Sequence, residues 1–332
     1  MRHPITKIAV ATVLGFVALG AITAAALPIV RHTAWASWNS PGRLAALPDN
    51  PQVHYEDGAG EYARAVAALL PTAIAQVESA HGRPFAHPVT IGVFVSREAF
   101  DAANGLTNPG AVGVTFLGRV LLPPGLYWAQ RQRLPAILTH ELSHAHLQGW
   151  ISQLTFFRLP NWFTEGLAVM VSSGGGAEGV SVAQARDAIR RGDHIAVESA
   201  GSVLNVGQGI TFKIPQETPN SSSRTLMAYR QAGLFVTYLH DSNPVGFGRM
   251  MAAILDGRPF AEAVKIGSKP ILARCGSNLR GSCDPDPLNR KWSVFPERAR
   301  SRRLLGGHER ARIWIGVDLR AREKPTPPRT QR

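Results

Sequence analysis

Residues 140–144 read His140-Glu141-Leu142-Ser143-His144, and Glu165 follows further down the chain. Two histidines four apart stand one above the other on a helix, so both rings can reach a single metal ion. Glu141 lies one residue round the same turn, beside such an ion rather than on it. A carboxylate from a second helix completes a three-ligand zinc site with an open fourth position, the arrangement of a hydrolytic zinc. His140, His144 and Glu165 are therefore the expected ligands of one Zn2+ per chain, and Glu141 the expected general base. The surrounding residues fit this reading. Leu134-Pro135-Ala136 places a proline near the first helical turn, and Gly149 reads as a stop signal. Ile137, Leu138, Leu142 and Leu147 make the helix mostly interior. A buried helix carrying two histidines and a glutamate needs a reason, and a metal supplies one.

The motif followed by Asn161-Trp162-Phe163-Thr164-Glu165-Gly166-Leu167-Ala168 resembles the gluzincin clan of zinc metallopeptidases, in particular the small bacterial peptidase-MA-like proteins. The resemblance covers about residues 52–265. It implies an α+β, zincin-like metallopeptidase domain: a small mixed sheet packed on an active-site helix, followed by a helical subdomain. Val89–Val95 resembles the family's strand before the active-site helix, and Ser96, Glu98 and Phe100 its strand-to-helix turn. Gly113–Phe116 and Arg119–Pro123 look like its substrate-side edge strand. Ala228–Leu239 resembles the helix that brings a tyrosine back to the zinc, which makes Tyr229 the implied oxyanion donor. Tyr238 and His240 lie on that helix but outside the matching motif. Aminopeptidases of the clan carry a Gly-x-Met-Glu-Asn segment, whereas Gly113-Val114-Thr115-Phe116-Leu117-Gly118 has no acidic residue. The resemblance thus favours an endopeptidase that binds an extended peptide along the edge strand. His146 is six positions from His140 and off the ligand face, and reads as a neighbour of the ligands or a surface residue.

The elements that must position these residues follow from pattern. Residues 31–50, with Pro41 and Pro48, read as an irregular linker. Glu61–His81 is an amphipathic helix that Pro71 is expected to kink or divide. Strands are expected over 88–95 and 111–123, bracketing a helix near Ser96–Ala103. The motif helix spans 135–148, and Asn161 is the expected N-cap of the helix carrying Glu165, which stops before Ser172-Ser173-Gly174. Helices at Val182–Arg190, Thr225–His240 and Val245–Leu255 complete the domain.

The net charge of +13 is unevenly spread. Residues 271–332 hold 13 Arg and 2 Lys against 6 acids, a net of +9, which leaves +4 for the preceding 270. The Arg-rich, proline-ending segment 266–332 reads as a basic, disordered tail. At the other end, Met1–Lys7 is a short basic start, and residues 8–30 carry no charge. That run is long enough for a bilayer, which takes about 20 residues. It reads as an N-terminal membrane anchor or as a signal peptide cleaved near Ala26. Either places the bulk of the chain outside the cytoplasm. Cys275 and Cys283 are the only cysteines, and either bridge or stand as thiols. The implied partners are a peptide or protein substrate and a membrane at the N-terminus, with no specific nucleic acid. Two other classes stay open. One is a non-catalytic exported metalloprotein, against which Glu141 argues, since a structural site needs no base and usually has four protein ligands. The other is a basic surface-binding protein acting through its tail, which deletion of 271–332 would expose.

Overall fold

The computed structural model describes residues 28–104, 111–198 and 221–268, with Thr12, Val13, Gly15, Phe16, Gly20, Gly201 and Ile210 as isolated positions. The expected tail begins as helix, since residues 266–268 close the helix Phe260–Ser268; its remainder, Cys275 and Cys283, and nearly all of the uncharged run 8–30 lie outside the described residues. Among those described, no helix is long and apolar enough to cross a membrane.

Helix α1 (Pro28–Trp38) opens the described chain and leads through a 3-10 turn (Pro41–Arg43) into strand β1 (Ala45–Leu47). Strand β2 (Asn50–Tyr55) returns antiparallel to β1. The stretch 31–50 is therefore helix and strand rather than irregular linker. Its three-residue strand is too short to show an alternating pattern, and its backbone pairing with β2 is what makes it a strand. Helix α2 (Gly60–His81) follows, continuous through Pro71, so the expected division there does not occur. Its buried face is Tyr62, Val66, Leu70, Ala73 and Val77, at helical spacing.

Strand β3 (Thr90–Val93) lies parallel to β2, and Ser96 caps helix α3 (Arg97–Ala103) by accepting the Ala99 N–H. The region 111–123 is a hairpin. Strand β4 (Val114–Phe116) turns at Leu117-Gly118 into β5 (Arg119–Leu122). Both turn residues have positive φ, 50° and 72°, as a two-residue hairpin loop whose twist matches its strands requires. The sheet order is β1-β2-β3-β5-β4, with the two central pairings parallel and the outer two antiparallel. It is a mixed sheet with β4 at one edge.

After helix α4 (Pro124–Trp128) and a 3-10 turn (Arg131–Arg133) comes the motif helix, α5 (Leu134–Trp150). It runs through Gly149, which does not stop it. Ile137, Leu138, Leu142 and Leu147 are fully buried, each contributing about 1.5–3 kcal/mol of burial. Helix α6 (Gln153–Phe157) is short. Helix α7 (Asn161–Val171) has Pro160 rather than Asn161 at its N-cap position. Helix α8 (Val182–Arg190) carries a full capping box from Ser181 and Gln184. Helices α9 (Ser221–Ser242), α10 (Pro244–Leu255) and α11 (Phe260–Ser268) end the described chain. The architecture is α+β: one sheet and a helical second half, with α5 between them.

The crossing of α7 and α9 is close. A Cβ on Gly166 would lie 2.6 Å from the Ala232 carbonyl oxygen, and one on Gly233 would overlap Val169. The two glycines let the helix backbones meet directly, one residue after Glu165 and four after Tyr229.

Candidate metal centre

Helix α5 presents His140 and His144 on one face, one turn apart, and their Nε2 atoms face each other at 3.2 Å. Glu165, brought in by α7, sets a carboxylate oxygen 3.3 Å from His140 Nε2 and 3.5 Å from His144 Nε2. One ligating atom from each of the three lies within 4.8 Å of the others. The two histidines are buried and Glu165 is half-buried. Three groups able to hold a metal ion thus converge where the sequence placed them.

The surroundings fix their orientation. The Gly175 carbonyl accepts from His140 Nδ1 at 2.9 Å. That bond puts the proton on Nδ1 and leaves the Nε2 lone pair facing Glu165 and His144. The loop that delivers this carbonyl presses on α5 because it is glycine. A Cβ at Gly175 would meet the Ala136 carbonyl oxygen at 2.5 Å, and Gly176, at φ 81°, would place one 3.0 Å from the His140 ring. Phe156 of α6 meets the His144 ring edge to face at 6.3 Å.

Charge in this pocket favours a cation. Burial alone would lower the His140 pKa, but the Glu165 hydrogen bond and the charges of Glu141 and Glu165 lift it above the ordinary histidine value. Burial alone would raise Glu165, yet His144 and the hydrogen bonds to both rings hold it well below the usual carboxylate range. The same group of residues that pulls a proton toward its centre would pull a metal ion there.

Glu141 is buried, next to His140 on α5 and close enough for its charge to act on that ring. Its carboxylate oxygen Oε2 lies 2.8 Å from the Thr115 hydroxyl of β4. Tyr229 stacks on the His140 ring, centroids 6.3 Å apart and planes 15° apart. Its hydroxyl lies near the Glu165 carboxylate. Burial first, then the charges of Glu165 and Glu141, push its pKa well above the ordinary tyrosine value, so it stays a neutral donor. Tyr238 and His240 do not join this group.

His146 is neither a surface residue nor a ligand. It is fully buried on the opposite side of α5, where His81 of α2 meets it Nδ1 to Nδ1 at 2.9 Å. His146 Nε2 donates to the Arg83 carbonyl at 2.9 Å, and Ser143 Oγ lies 3.1 Å from His81 Nε2. Because a carbonyl only accepts, the directions are set. His146 keeps its proton on Nε2, so its Nδ1 accepts from His81 Nδ1, and His81 Nε2 accepts from the Ser143 hydroxyl. Sequence reasoning missed His81, Thr115 and the Gly175 carbonyl. Each acts across a separation of 26 residues or more, and no local pattern marks such a partner.

No protein-family model, no curated protein and no solved structure matches this chain.

Proposed function

We propose that the chain is a zinc-dependent peptidase of the gluzincin type, built on a zincin-like fold. The observation that carries this is the spacing of the three converging atoms, 3.2, 3.3 and 3.5 Å. Zinc binds nitrogen and oxygen at about 2.0–2.2 Å with tetrahedral angles, which sets neighbouring ligands roughly 3.3–3.5 Å apart. Hydrogen bonds between such groups are most often shorter, about 2.9–3.0 Å, so three separations this close to the edges of one tetrahedral face favour a metal. The Nδ1–H of His140, bonded to a carbonyl, is also the usual tautomer of a zinc-ligating histidine. Three protein ligands leave a fourth position for a reacting water.

A zinc ion held there would polarise the scissile carbonyl and lower the pKa of water toward ~7. Glu141 accepts the proton of the attacking water and delivers it to the amine nitrogen as the C–N bond breaks. Tyr229, kept neutral, donates to the oxygen that gains negative charge at the tetrahedral stage. Among the described residues strand β4 ends the sheet, and it gives an extended peptide a backbone to pair with. The absence of an acidic residue along 113–118 favours internal over terminal cleavage. The uncharged run 8–30 behind a basic start supports export, with the domain facing the periplasm or cell exterior, anchored or released by cleavage.

Metal analysis of the purified protein together with casein or peptide hydrolysis, with and without chelator, tests the reading. One zinc per chain and chelator-sensitive cleavage are expected. A metal-loaded protein that cleaves nothing would reduce the site to a structural or sensory one. A reporter active only outside the cytoplasm, fused after residue 50, should give signal; signal from a cytoplasm-only reporter would overturn export.

A further inference from the structure

Thr115 sits where two functions meet. The Thr115 Oγ1 lies 2.8 Å from Glu141 Oε2 and 2.8 Å from the Glu141 carbonyl oxygen. A hydroxyl has one proton to give, and the charged carboxylate is the stronger acceptor. Its neighbour two residues back leaves room for the same carboxylate. A Cβ at Gly113 would fall 2.9 Å from both Glu141 Cγ and Oε1, and 2.9 Å from Ile137 Cγ2. The three residues 113–115, at the start of β4, therefore both open a slot for the Glu141 side chain and bond its end. The hairpin is fixed to α5 a second time two turns further on, where the Gly118 N–H donates to the Gln148 side chain at 2.7 Å.

The main chain of Thr115 faces the other way. In a two-residue loop with both residues at positive φ, the closing residues form the hydrogen-bonded pair. These are Phe116 and Arg119, which stand opposite each other. The next pair inward, Thr115 opposite Val120, is then non-hydrogen-bonded. The Thr115 N–H and C=O point away from β5, toward the edge where the sheet ends among the described residues. Val114 and Phe116, which alternate with it, bury their side chains in the cluster of Phe94, Phe100 and Leu121, so this register cannot slip without exposing them.

Resting on the peptidase reading above, we propose that Thr115 is a positioning residue that couples substrate to base. Its main chain offers one N–H and one C=O to an extended peptide at the sheet edge, and its hydroxyl holds the Glu141 carboxylate. A peptide paired at that position is thereby set in register with the group that takes the proton from water.

The test is Thr115→Val, which keeps the β-branched shape and the main chain and deletes the hydroxyl. Zinc content and KM for a peptide substrate should stay at wild-type values, while kcat falls about 10- to 100-fold, the cost of a reacting group displaced by about an ångström. Thr115→Ser should restore most of the rate. Gly113→Ala, which retains the hydroxyl but crowds the same carboxylate, should reproduce the loss and stands in if Thr115→Val fails to fold. Crystal structures of wild type and Thr115→Val give a readout independent of turnover: the Glu141 carboxylate should leave its wild-type position in the variant. An unchanged kcat in Thr115→Val, or an unmoved Glu141 carboxylate, overturns the proposal. A loss in KM alone assigns Thr115 to substrate binding only and overturns the coupling. If zinc-loaded wild type cleaves no peptide, the peptidase reading fails, and the two crystal structures still decide whether Thr115 positions Glu141.

Discussion

The two sides of α5 carry the same kinds of side chain and put them to opposite ends. On one side, His140 and His144 turn their Nε2 atoms toward each other and toward Glu165, and His144 Nδ1 is buried with no hydrogen-bond partner among the described residues. On the other, His146, His81 and Ser143 form a chain in which every ring nitrogen has a partner and a carbonyl closes the end. Buried polar groups that satisfy one another hold a structure together. Buried acceptors that converge on one point, and can satisfy one another only by taking up a proton between them, leave a place for a cation. The difference between a group fit to hold a metal ion and a polar core therefore lies in which way the lone pairs point, not in residue type or burial.

The largest expected effect comes from swapping the two sides' fates. His144→Ala should lose zinc and activity together while the fold survives. His146→Ala should keep zinc but lose about 1–3 kcal/mol of stability, because the buried His81 Nδ1–H is left without an acceptor. Metal analysis and urea unfolding of both variants would decide. Zinc lost from His146→Ala would mean the two faces form one network and would break the comparison.

Within the front face, Glu141→Gln separates binding from chemistry. Zinc should stay and hydrolysis fall by about 10²–10⁴, the usual worth of a general base. Undiminished cleavage would sink the assignment. Tyr229→Phe should lower turnover less, by something like 10²–10³, if its hydroxyl serves the oxyanion. An unaltered rate would return Tyr229 to a packing role against His140.

The smallest effect is a pH dependence on the back face. Burial first, then the nearby His146 and His144, push the His81 pKa well below the ordinary histidine value. The group facing it from α5 besides these is the uncharged Ser143, and Arg83 contributes its carbonyl to His146. The sign follows from which state takes the proton. The unfolded chain protonates His81 near pH ~6.5 and the folded chain resists, so the unfolded state binds more protons below that pH. The His81 contribution is full above about 6.5 and declines as pH falls, at up to ~1.4 kcal/mol per pH unit. Urea midpoints between pH 7.5 and 5.5 should drop more steeply for wild type than for His81→Gln; parallel slopes would remove His81 from the account.

The front face was largely legible in the sequence because helical spacing is a local signal. His140, Glu141 and His144 announce themselves within five residues, and Glu165 follows in a motif of its own. Tyr229 was reached only through the family resemblance. The back face was invisible: His146 showed itself as a residue off the ligand side, while His81 lies at the far end of α2 and nothing in its neighbourhood marks a partner. The same holds for Thr115, whose strand was expected but whose hydroxyl finds Glu141 only once the hairpin is laid on α5. Strand β1 went unread because three residues are too few for periodicity to register. Gly149 misled because a helix can carry a glycine at a cost of about 1 kcal/mol.

The crossing at Gly166 and Gly233 has a further meaning as a matter of tolerance. Most distances between helices are set by side chains, which can change rotamer and let the gap drift by an ångström. Here the Gly166 backbone rests on the Ala232 carbonyl with nothing compressible between them. Glu165 and Tyr229 flank that contact within four residues on their respective helices. The separation of the third candidate metal ligand from the tyrosine beside it is thus a gauge block, cut to the thickness of two peptide backbones.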